Sequence, residues 1–266
     1  MDKPTAAEND RDVAMFEVAD AYISFMGRFS TPLAPLFADV GLVGVPATAP
    51  ILDVGCGPGM LTAELVRRHG APRVTAVDPV ATFVTAAATT HPGADVRRAS
   101  AEALPFAEES FDATLAQLVV HFMSDPAAGL AEMRRVTRPG GRVSACVWDH
   151  GGGTGPLSAF WRAVLAVDPT VTDEATLPGS NAGDLTALLT AAGLGEVSEV
   201  PLTVTVPFAT FDEWWEPYTY GVGTAGVAFD ALAHGQQERV VELLRAELGD
   251  GPFTMSATAW AGSGVR

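Results

Sequence analysis

The residues best suited to chemistry lie in a glycine-rich stretch, ILDVGCGPG, at residues 51–59. An apolar run interrupted by Asp53 leads into Gly55, Gly57 and Gly59. Glycine lets the backbone turn sharply and lets a ligand approach N–H groups that a Cβ would cover. Where such a loop joins a strand to a helix, the helix N-terminus can hold an anionic or polar group. The stretch therefore predicts a binding site for a small ligand.

The spacing of these glycines argues against a nicotinamide cofactor. The dinucleotide fingerprint is G-x-G-x-x-G, whereas position 60 is Met and the third glycine is Gly59. Asp78 ends the next predicted strand, where a carboxylate can accept hydrogen bonds from both hydroxyls of a ribose. Because Asp78 precedes Pro79, it could also cap the following helix. The two roles are compatible.

Alternating apolar patterns predict the elements that hold this loop. Strands are expected at residues 50–54, 73–78, 94–98, 111–119, 142–148, 197–206 and 253–261. Helices are expected at residues 12–27, 31–42, 59–69, 80–90, 126–137, 160–167, 182–192, 210–219 and 229–248. Strands that alternate with helices indicate an α/β fold with a doubly wound, largely parallel sheet.

The composition limits the classes of partner. Asp and Glu total 32 against 16 Lys and Arg, which gives a net charge of −16. Such a surface repels phosphate backbones and anionic lipid, so neither nucleic acid nor a membrane is expected as a partner. Cys56 and Cys146 lie in apolar surroundings and are expected to be buried thiols, and no metal site is predicted. The N-terminal segment lacks the pattern of a signal peptide, which predicts a cytoplasmic protein.

Four segments together resemble the class I S-adenosylmethionine-dependent methyltransferases, in particular the type 11 branch that includes quinone-biosynthesis enzymes. In chain order they are ILDVGCGPGMLT, AVDP, ASAEALPFAEESFDATLAQLVVHF and EMRRVTRPGGRVSACVWD. The resemblance covers roughly residues 20–150. It implies a Rossmann-like, mostly parallel seven-stranded sheet with helices on both faces and a helical insertion.

The resemblance implies a domain organisation. The late strands still need a sheet to join, so residues 1–266 are expected to form a single domain. Residues 1–45 would form an N-terminal helical lid, and residues 46–150 the cofactor-binding core. Residues 151–266 would supply the helices on the substrate side and the last two strands.

The resemblance also assigns roles to the glycine loop and its surroundings. Asp53, Gly55, Cys56 and Gly57 would hold the methionine part of the cofactor, and Asp78 would hold its ribose. The product would be S-adenosylhomocysteine.

Further cofactor contacts are implied beyond the loop. Pro79 and Val80 would lie against the adenine, and the backbone N–H of Ala101 would meet its edge. Gln117 would approach the amino-acid part through its backbone carbonyl. Arg28 could pair with the cofactor carboxylate or could be a solvated surface charge.

One position departs from the family pattern. Relatives often have an aspartate where this chain has Ser100. A serine hydroxyl can accept the hydrogen bond of the adenine amino group but lacks the charge. Glu102 could compensate, or it could be a solvated loop charge.

Candidates for catalysis follow the fourth and fifth predicted strands. His121 follows the fourth strand, and Asp149 and His150 follow the fifth. A general base is needed only if the methyl acceptor must lose a proton. His121 could instead be a packed structural residue, and Asp149 with His150 could shape the glycine-rich segment after Trp148.

Aromatic residues predict the acceptor side. A stripe in the segment 208–218 has helical spacing, and such stripes usually belong to the core. With aromatic residues elsewhere it could line an apolar cavity. The residues expected to line this cavity are Tyr22, Phe25, Trp148, Trp161, Trp215 and Tyr218.

The sequence thus predicts a methyltransferase, a monomer or a homodimer, acting on a small apolar or aromatic metabolite at O, N, S or C. The alternative is a scaffold or partner protein that binds S-adenosylmethionine or S-adenosylhomocysteine without transferring a methyl group, because a fold never guarantees a chemistry.

Overall fold

The computed structural model describes residues 23–221 and 223–266. Tyr22 and most of the helix predicted at residues 12–27 lie outside the described residues. Within that helix, Ile23–Gly27 forms one turn of π-helix.

All the described strands join one seven-stranded sheet in the order β3-β2-β1-β4-β5-β7-β6. Their bounds are β1 Ile51–Val54, β2 Val74–Asp78, β3 Asp95–Arg98, β4 Phe111–Gln117, β5 Thr137–Trp148, β6 Gly195–Phe208 and β7 Phe253–Val265. Among these strands, β7 alone runs opposite to the others, since it pairs in an antiparallel sense with both β5 and β6. The predicted mostly parallel, doubly wound sheet is confirmed.

Helices cover both faces of the sheet. In the described residues they are α1 Arg28–Gly41, α2 Met60–His69, α3 Ala81–Thr90, α4 Pro126–Val136, α5 Ser158–Val167, α6 Asp184–Ala191, α7 Phe211–Trp215, α8 Gly223–Asp230 and α9 His234–Leu248.

Apolar clusters on the two faces of the sheet explain why its central strands are continuously apolar. One cluster contains Leu33 of α1 and Leu65 of α2, and the other contains Leu130 of α4 and Leu189 of α6. A strand that is covered on both faces buries every side chain, and all four residues of Ile51–Val54 are buried. This double layer fixes the strand ends that carry the site.

The first complete helix begins earlier than predicted. The sequence places Thr31 and Pro32 at a helix start, whereas α1 runs from Arg28 and includes Pro32 and Pro35. A proline inside a helix removes one backbone hydrogen bond. Burial of Leu33 and Phe37 against the sheet stabilises α1 in spite of these losses.

The helix predicted at residues 229–248 begins later than predicted, because α8 ends at Asp230 and α9 begins at His234. The glycine-rich sequence YGVGTAG at residues 220–226 predicts a break, but residues 223–226 form the first half of α8. A Cβ on Gly226 would lie 2.8 Å from the backbone carbon of Gly221. Glycine at this position therefore allows a close backbone approach rather than flexibility.

Candidate active site

The glycine loop adopts a backbone that other residues rarely take. Gly55, Gly57 and Gly59 have φ values of 71°, 53° and 106°, which lie in the left-handed region that favours glycine. A Cβ on Gly55 would lie 2.5 Å from Val119, and one on Gly59 would lie 2.7 Å from His91. A Cβ on Gly57 would meet nothing within 4 Å in the part of the chain that the structure describes. Gly55 and Gly59 thus permit close packing, whereas Gly57 faces open space.

Asp78, at the end of β2, ties this loop to the next helix. Its Oδ2 accepts a hydrogen bond from the Gly57 N–H at 2.9 Å, and its Oδ1 accepts one from the Val80 N–H at 2.8 Å. Burial raises the pKa of the Asp78 carboxyl, while these two N–H groups lower it. The carboxylate therefore organises the loop and the entry to α3 together.

A cavity of about 450 Å³ opens at the carboxyl ends of β1, β2 and β4. Nearly all the predicted cofactor residues line it, namely Asp53, Gly55, Cys56, Gly57, Asp78, Pro79, Ser100, Ala101, Glu102 and Gln117. Ser30 of α1 and Phe83 of α3 also line it, and the sequence patterns did not indicate either one. Ligands of open α/β sheets bind at this edge of the sheet.

Three buried polar atoms on this cavity have no hydrogen-bond partner in the described part of the chain. They are Oδ1 of Asp53, Oε1 of Gln117 and Oγ of Ser30. The other Asp53 oxygen accepts a hydrogen bond from the Thr62 hydroxyl at 2.6 Å. Burial raises the pKa of Asp53 to about 7. Because buried polar atoms are nearly always paired, these acceptors indicate a ligand with donors or positive charge.

The family departure at Ser100 is accompanied by a nearby carboxylate. The Ser100 hydroxyl donates a hydrogen bond to Glu102, whose other oxygen accepts one from the Ser124 N–H at 2.8 Å. Burial raises the pKa of Glu102, but its hydrogen bonds hold it below its ordinary value. A negative charge therefore lies beside the position where relatives often have an aspartate.

Residues 52–145 match the sequence model of a family described as "Methyltransferase domain". Those residues therefore match the type 11 methyltransferase domain. The cofactor of such domains is S-adenosylmethionine.

Two relatives match different lengths of this chain. A malonyl-[acyl-carrier protein] O-methyltransferase of Erwinia billingiae is 39% identical over 93 residues, which is 35% of this chain and 36% of that protein. An uncharacterized protein of Mycobacterium tuberculosis is 27% identical over 230 residues, which is 83% of this chain and 79% of that protein. The more similar relative therefore matches only about a third of either chain.

A solved structure shares the fold of the methyltransferase domain and its flanking segments. A putative type II methyltransferase from Anaeromyxobacter dehalogenans superposes with a TM-score of 0.60 at 22% identity. The match covers 88% of this chain and 95% of that one.

A second cavity, of about 60 Å³, adjoins the main cavity of the methyltransferase domain. Leu118, Phe122 and Gly223 line both cavities. Of the aromatic residues predicted for the acceptor side, Phe25 and Trp148 line the smaller cavity. This arrangement gives the main cavity an apolar extension.

The other predicted aromatic residues lie deeper. Trp215 and Tyr218 stack with ring centroids 5.3 Å apart, and Phe160 stacks on Tyr218 at 4.9 Å. The Trp161 indole N–H donates a hydrogen bond to Glu174 at 3.0 Å. Neither Trp161 nor Trp215 lines either cavity, and both pack in the core. These rings support the cavity wall from behind.

The two predicted catalytic residues have different surroundings. His121 is buried and lines the smaller cavity, and its Nδ1 has no hydrogen-bond partner among the described residues. Burial and the neighbouring His150 lower its pKa to about 3. Asp149 lines neither cavity, and its carboxylate accepts hydrogen bonds from the Gly152 N–H, the Thr154 hydroxyl and the Trp260 indole. The geometry thus gives Asp149 the contacts of a loop-organising residue.

Arg28 also lies apart from the main cavity. Its guanidinium pairs with Glu213 at 2.5 Å and lies 5.1 Å from the ring centroid of Phe208. It lines a smaller cavity beside Phe208. Arg28 is partly exposed in this ion pair, and its contact with a cofactor carboxylate stays a prediction.

Glu174, which the sequence patterns did not indicate, lies on the smaller cavity beside His150. It falls in a segment without periodic pattern or motif, so no sequence signal could have found it.

Cys56 and Cys146 are both free and buried, as predicted. Among residues 23–221 and 223–266, no three or more His, Cys, Asp or Glu side chains are arranged so that they could hold a metal ion. Nor does any helix in those ranges have the length and apolarity needed to cross a bilayer.

Proposed function

We propose that this chain transfers a methyl group from S-adenosylmethionine to a small, largely apolar acceptor. The observation that carries the proposal is the pair of adjoining cavities: one lies at the glycine loop, and the other has aromatic walls. The larger one, about 450 Å³, falls within the size range of ligand pockets. The smaller one offers little room, which favours a small acceptor over a polymer.

The residues around the larger cavity suit this cofactor. Its methionine part carries a sulfonium and an ammonium, and both are positive. Asp53 supplies a carboxylate oxygen without a protein partner, and Gln117 and Ser30 supply neutral acceptors. Gly57 leaves open space where a Cβ would stand. We assign the methionine part to this end of the cavity.

The ribose and adenine are assigned to the far side of the loop. Each Asp78 oxygen accepts one backbone hydrogen bond, and a carboxylate oxygen can accept a second. Both oxygens can therefore receive ribose hydroxyls without losing their loop contacts. Pro79, Ala101 and the pair of Ser100 and Glu102 line the remaining wall, where we place the adenine.

The chain's contribution to the reaction is orientation. When bound, S-adenosylmethionine supplies an electrophilic methyl group, and the protein supplies binding and electrostatics. Residues Leu118 and Phe122 lie between the two cavities and border the path of an acceptor toward that methyl group. Holding the reacting atoms about 3 Å apart in line can supply several kcal/mol of the barrier.

Several other predictions stay proposals. The lid at residues 1–45, the core at 46–150 and the substrate side at 151–266 remain the proposed division of the chain. A cytoplasmic location and a monomer or homodimer are proposed as well. The relative named as an O-methyltransferase favours oxygen among the possible acceptor atoms.

Transfer of labelled methyl groups tests the proposal. The protein is incubated with S-adenosylmethionine labelled in the methyl group and with separate panels of phenols, amines, thiols and carboxylic acids. We expect label in one panel and an equal amount of S-adenosylhomocysteine. Tight cofactor binding with no labelled product from any panel would favour the scaffold alternative.

A further inference from the structure

Two histidines and a glutamate meet at the smaller cavity. His121 follows β4, His150 follows β5, and Glu174 comes from the segment after α5. All three line the cavity, and the two imidazole centroids are 5.9 Å apart. Parallel strands bring their carboxyl ends to the same edge of the sheet, which explains why the histidines meet.

His150 and Glu174 form a buried pair. Nδ1 of His150 lies 3.6 Å from Oε2 of Glu174, and their side chains are only 5% and 6% exposed. The other ring nitrogen, Nε2 of His150, is buried without a hydrogen-bond partner among the described residues. Nδ1 of the imidazole thus lies beside a carboxylate, and Nε2 on the other side of the ring can accept a proton.

Glu174 is held in place from two directions. Its Oε2 accepts a hydrogen bond from the Trp161 indole at 3.0 Å, and its Oε1 accepts one from the Thr224 hydroxyl at 2.5 Å. Two donors stabilise the ionised carboxylate in a buried site. A carboxylate fixed behind an imidazole orients the ring and stabilises the imidazolium that forms when the ring takes a proton.

We propose that His150, positioned by Glu174, is the general base for methylation of an acidic hydroxyl of the phenol or enol class. The inference rests on the proposed methyl transfer and names its acceptor.

An unpartnered indole on the same cavity favours oxygen over nitrogen. Nε1 of Trp148 is a buried donor with no acceptor in the described part of the chain, and Trp148 lines the cavity. A hydroxyl has a proton for His150 and two lone pairs, one for the indole and one for attack on the methyl carbon. A neutral amine has a single lone pair, and the attack uses it. A carboxylate has no proton for His150 to take.

The protonation states restrict the acidity of the acceptor. Burial lowers the pKa of His150, although Glu174, Asp149 and Asp173 raise it in part. Burial and His150 also lower the pKa of His121. Both shifts favour the neutral ring, and such weak bases suit a phenol better than an aliphatic alcohol. The rings of Phe25, Phe122 and Trp148 on the cavity match an aromatic acceptor.

The step balances without another reactant. The acceptor oxygen forms a bond to the methyl carbon while its proton passes to Nε2 of His150. The bond between carbon and sulfur breaks, and its electron pair stays on the sulfur. The products are a methyl ether, S-adenosylhomocysteine and a proton, which His150 releases to solvent.

Two phenols of different acidity test the base. We compare 4-methylphenol, which is un-ionised at pH 8, with 4-nitrophenol, which is largely ionised there. In His150→Gln we expect kcat for 4-methylphenol to fall by about 100-fold or more, in the range that general bases contribute. For 4-nitrophenol we expect a loss of less than about tenfold, because it needs no base.

Glu174→Gln should lower kcat by a smaller factor than His150→Gln. The decrease should again be larger for 4-methylphenol than for 4-nitrophenol. The wild-type rate with 4-methylphenol should be nearly level above neutral pH, because the pKa of His150 is below its ordinary value. In His150→Gln that rate should rise with pH, since the phenolate must then come from solution.

The exposed pair His234 and Glu238 gives a matched control. Their separation is 3.4 Å, with side chains 86% and 65% exposed. We expect His234→Gln and Glu238→Gln to keep wild-type rates with both phenols. Circular dichroism and calorimetric cofactor binding check that every variant is folded.

Each other outcome has a distinct meaning. Equal losses for the two phenols in His150→Gln would overturn the role as a base. A wild type that binds S-adenosylmethionine but methylates neither phenol would overturn this inference and leave the proposed function standing. A wild type that binds no cofactor would overturn both.

Discussion

Asp53 illustrates how a single buried carboxyl can act on both stability and binding. One oxygen accepts a hydrogen bond from Thr62, and the other has no partner in the described part of the chain. Burial raises its pKa from 3.8 to about 7. Ionisation in the folded protein is therefore unfavourable until a positive group stands nearby. The positive sulfonium and ammonium groups of the proposed cofactor would offset the cost of ionising Asp53.

The raised pKa predicts how stability depends on pH. A group whose pKa is higher in the folded state stabilises that state below its unfolded pKa, and the effect is lost as pH rises through the folded value. The free energy of unfolding of the wild type should therefore fall between about pH 4 and pH 7 relative to Asp53→Asn, by up to ~4 kcal/mol in all, and should be level above that range. Urea unfolding of both proteins at several pH values measures this difference.

Asp95→Asn is the control, because this aspartate lies exposed on the edge strand β3. Its stability should follow that of the wild type over the same range. Parallel curves for Asp53→Asn and the wild type would contradict the assigned pKa.

Local spacing explains which site residues could be predicted. The glycine loop and Asp78 were predicted because strand, glycines and acid lie within one short span of sequence. Glu174 could not be predicted, since its position depends on contacts with Trp161 and Thr224 that no local pattern encodes. The sequence places His150 among the candidates for catalysis, but its pairing with Glu174 depends on a tertiary contact.

At the scale of elements, α8 shows that a glycine-rich segment need not be a flexible break. Gly226 lies within this helix, where an added Cβ would meet the backbone of Gly221. Gly235, near the start of α9, has nothing within 4 Å of an added Cβ. The same substitution should therefore have opposite effects in the two helices.

Gly226→Ala should lower the free energy of unfolding by about 1–3 kcal/mol, because the new methyl group clashes with backbone that cannot easily move. Gly235→Ala should raise it by up to ~1 kcal/mol, because alanine favours the helix and meets no neighbour. Chemical denaturation of both variants and the wild type measures the two changes. A destabilisation of equal size in both would show that packing against Gly221 is not the cause.

Element boundaries were harder to predict than element types. Strands and helices of the core were found from apolar periodicity, and their ends differ by a few residues. The larger differences have tertiary causes: α1 extends past its prolines because its apolar face is buried. The helix predicted at residues 229–248 starts only at His234, after α8 has ended at Asp230.

At the scale of the whole molecule, the order of the strands explains how distant residues form one site. Neighbouring β1, β2 and β4 bring the glycine loop, Asp78 and Gln117 to one edge. β5 lies beside β4 and adds His150 at the same edge. The alternation of helices and strands predicted the doubly wound sheet, but the smaller cavity depends on packing of the later helices.

The most direct test of the cofactor site is calorimetric titration with S-adenosylmethionine of the wild type, Gly57→Ala and Gly70→Ala. Both glycines have positive φ and nothing within 4 Å of an added Cβ, but only Gly57 lines the cavity. Both variants should therefore lose similar stability, about 1–2 kcal/mol. We expect wild type and Gly70→Ala to bind alike and Gly57→Ala at least ~10-fold more weakly, a loss of about 1.4 kcal/mol. Equal affinity in all three proteins, or no binding by the wild type, would contradict the assignment of the cofactor to this loop.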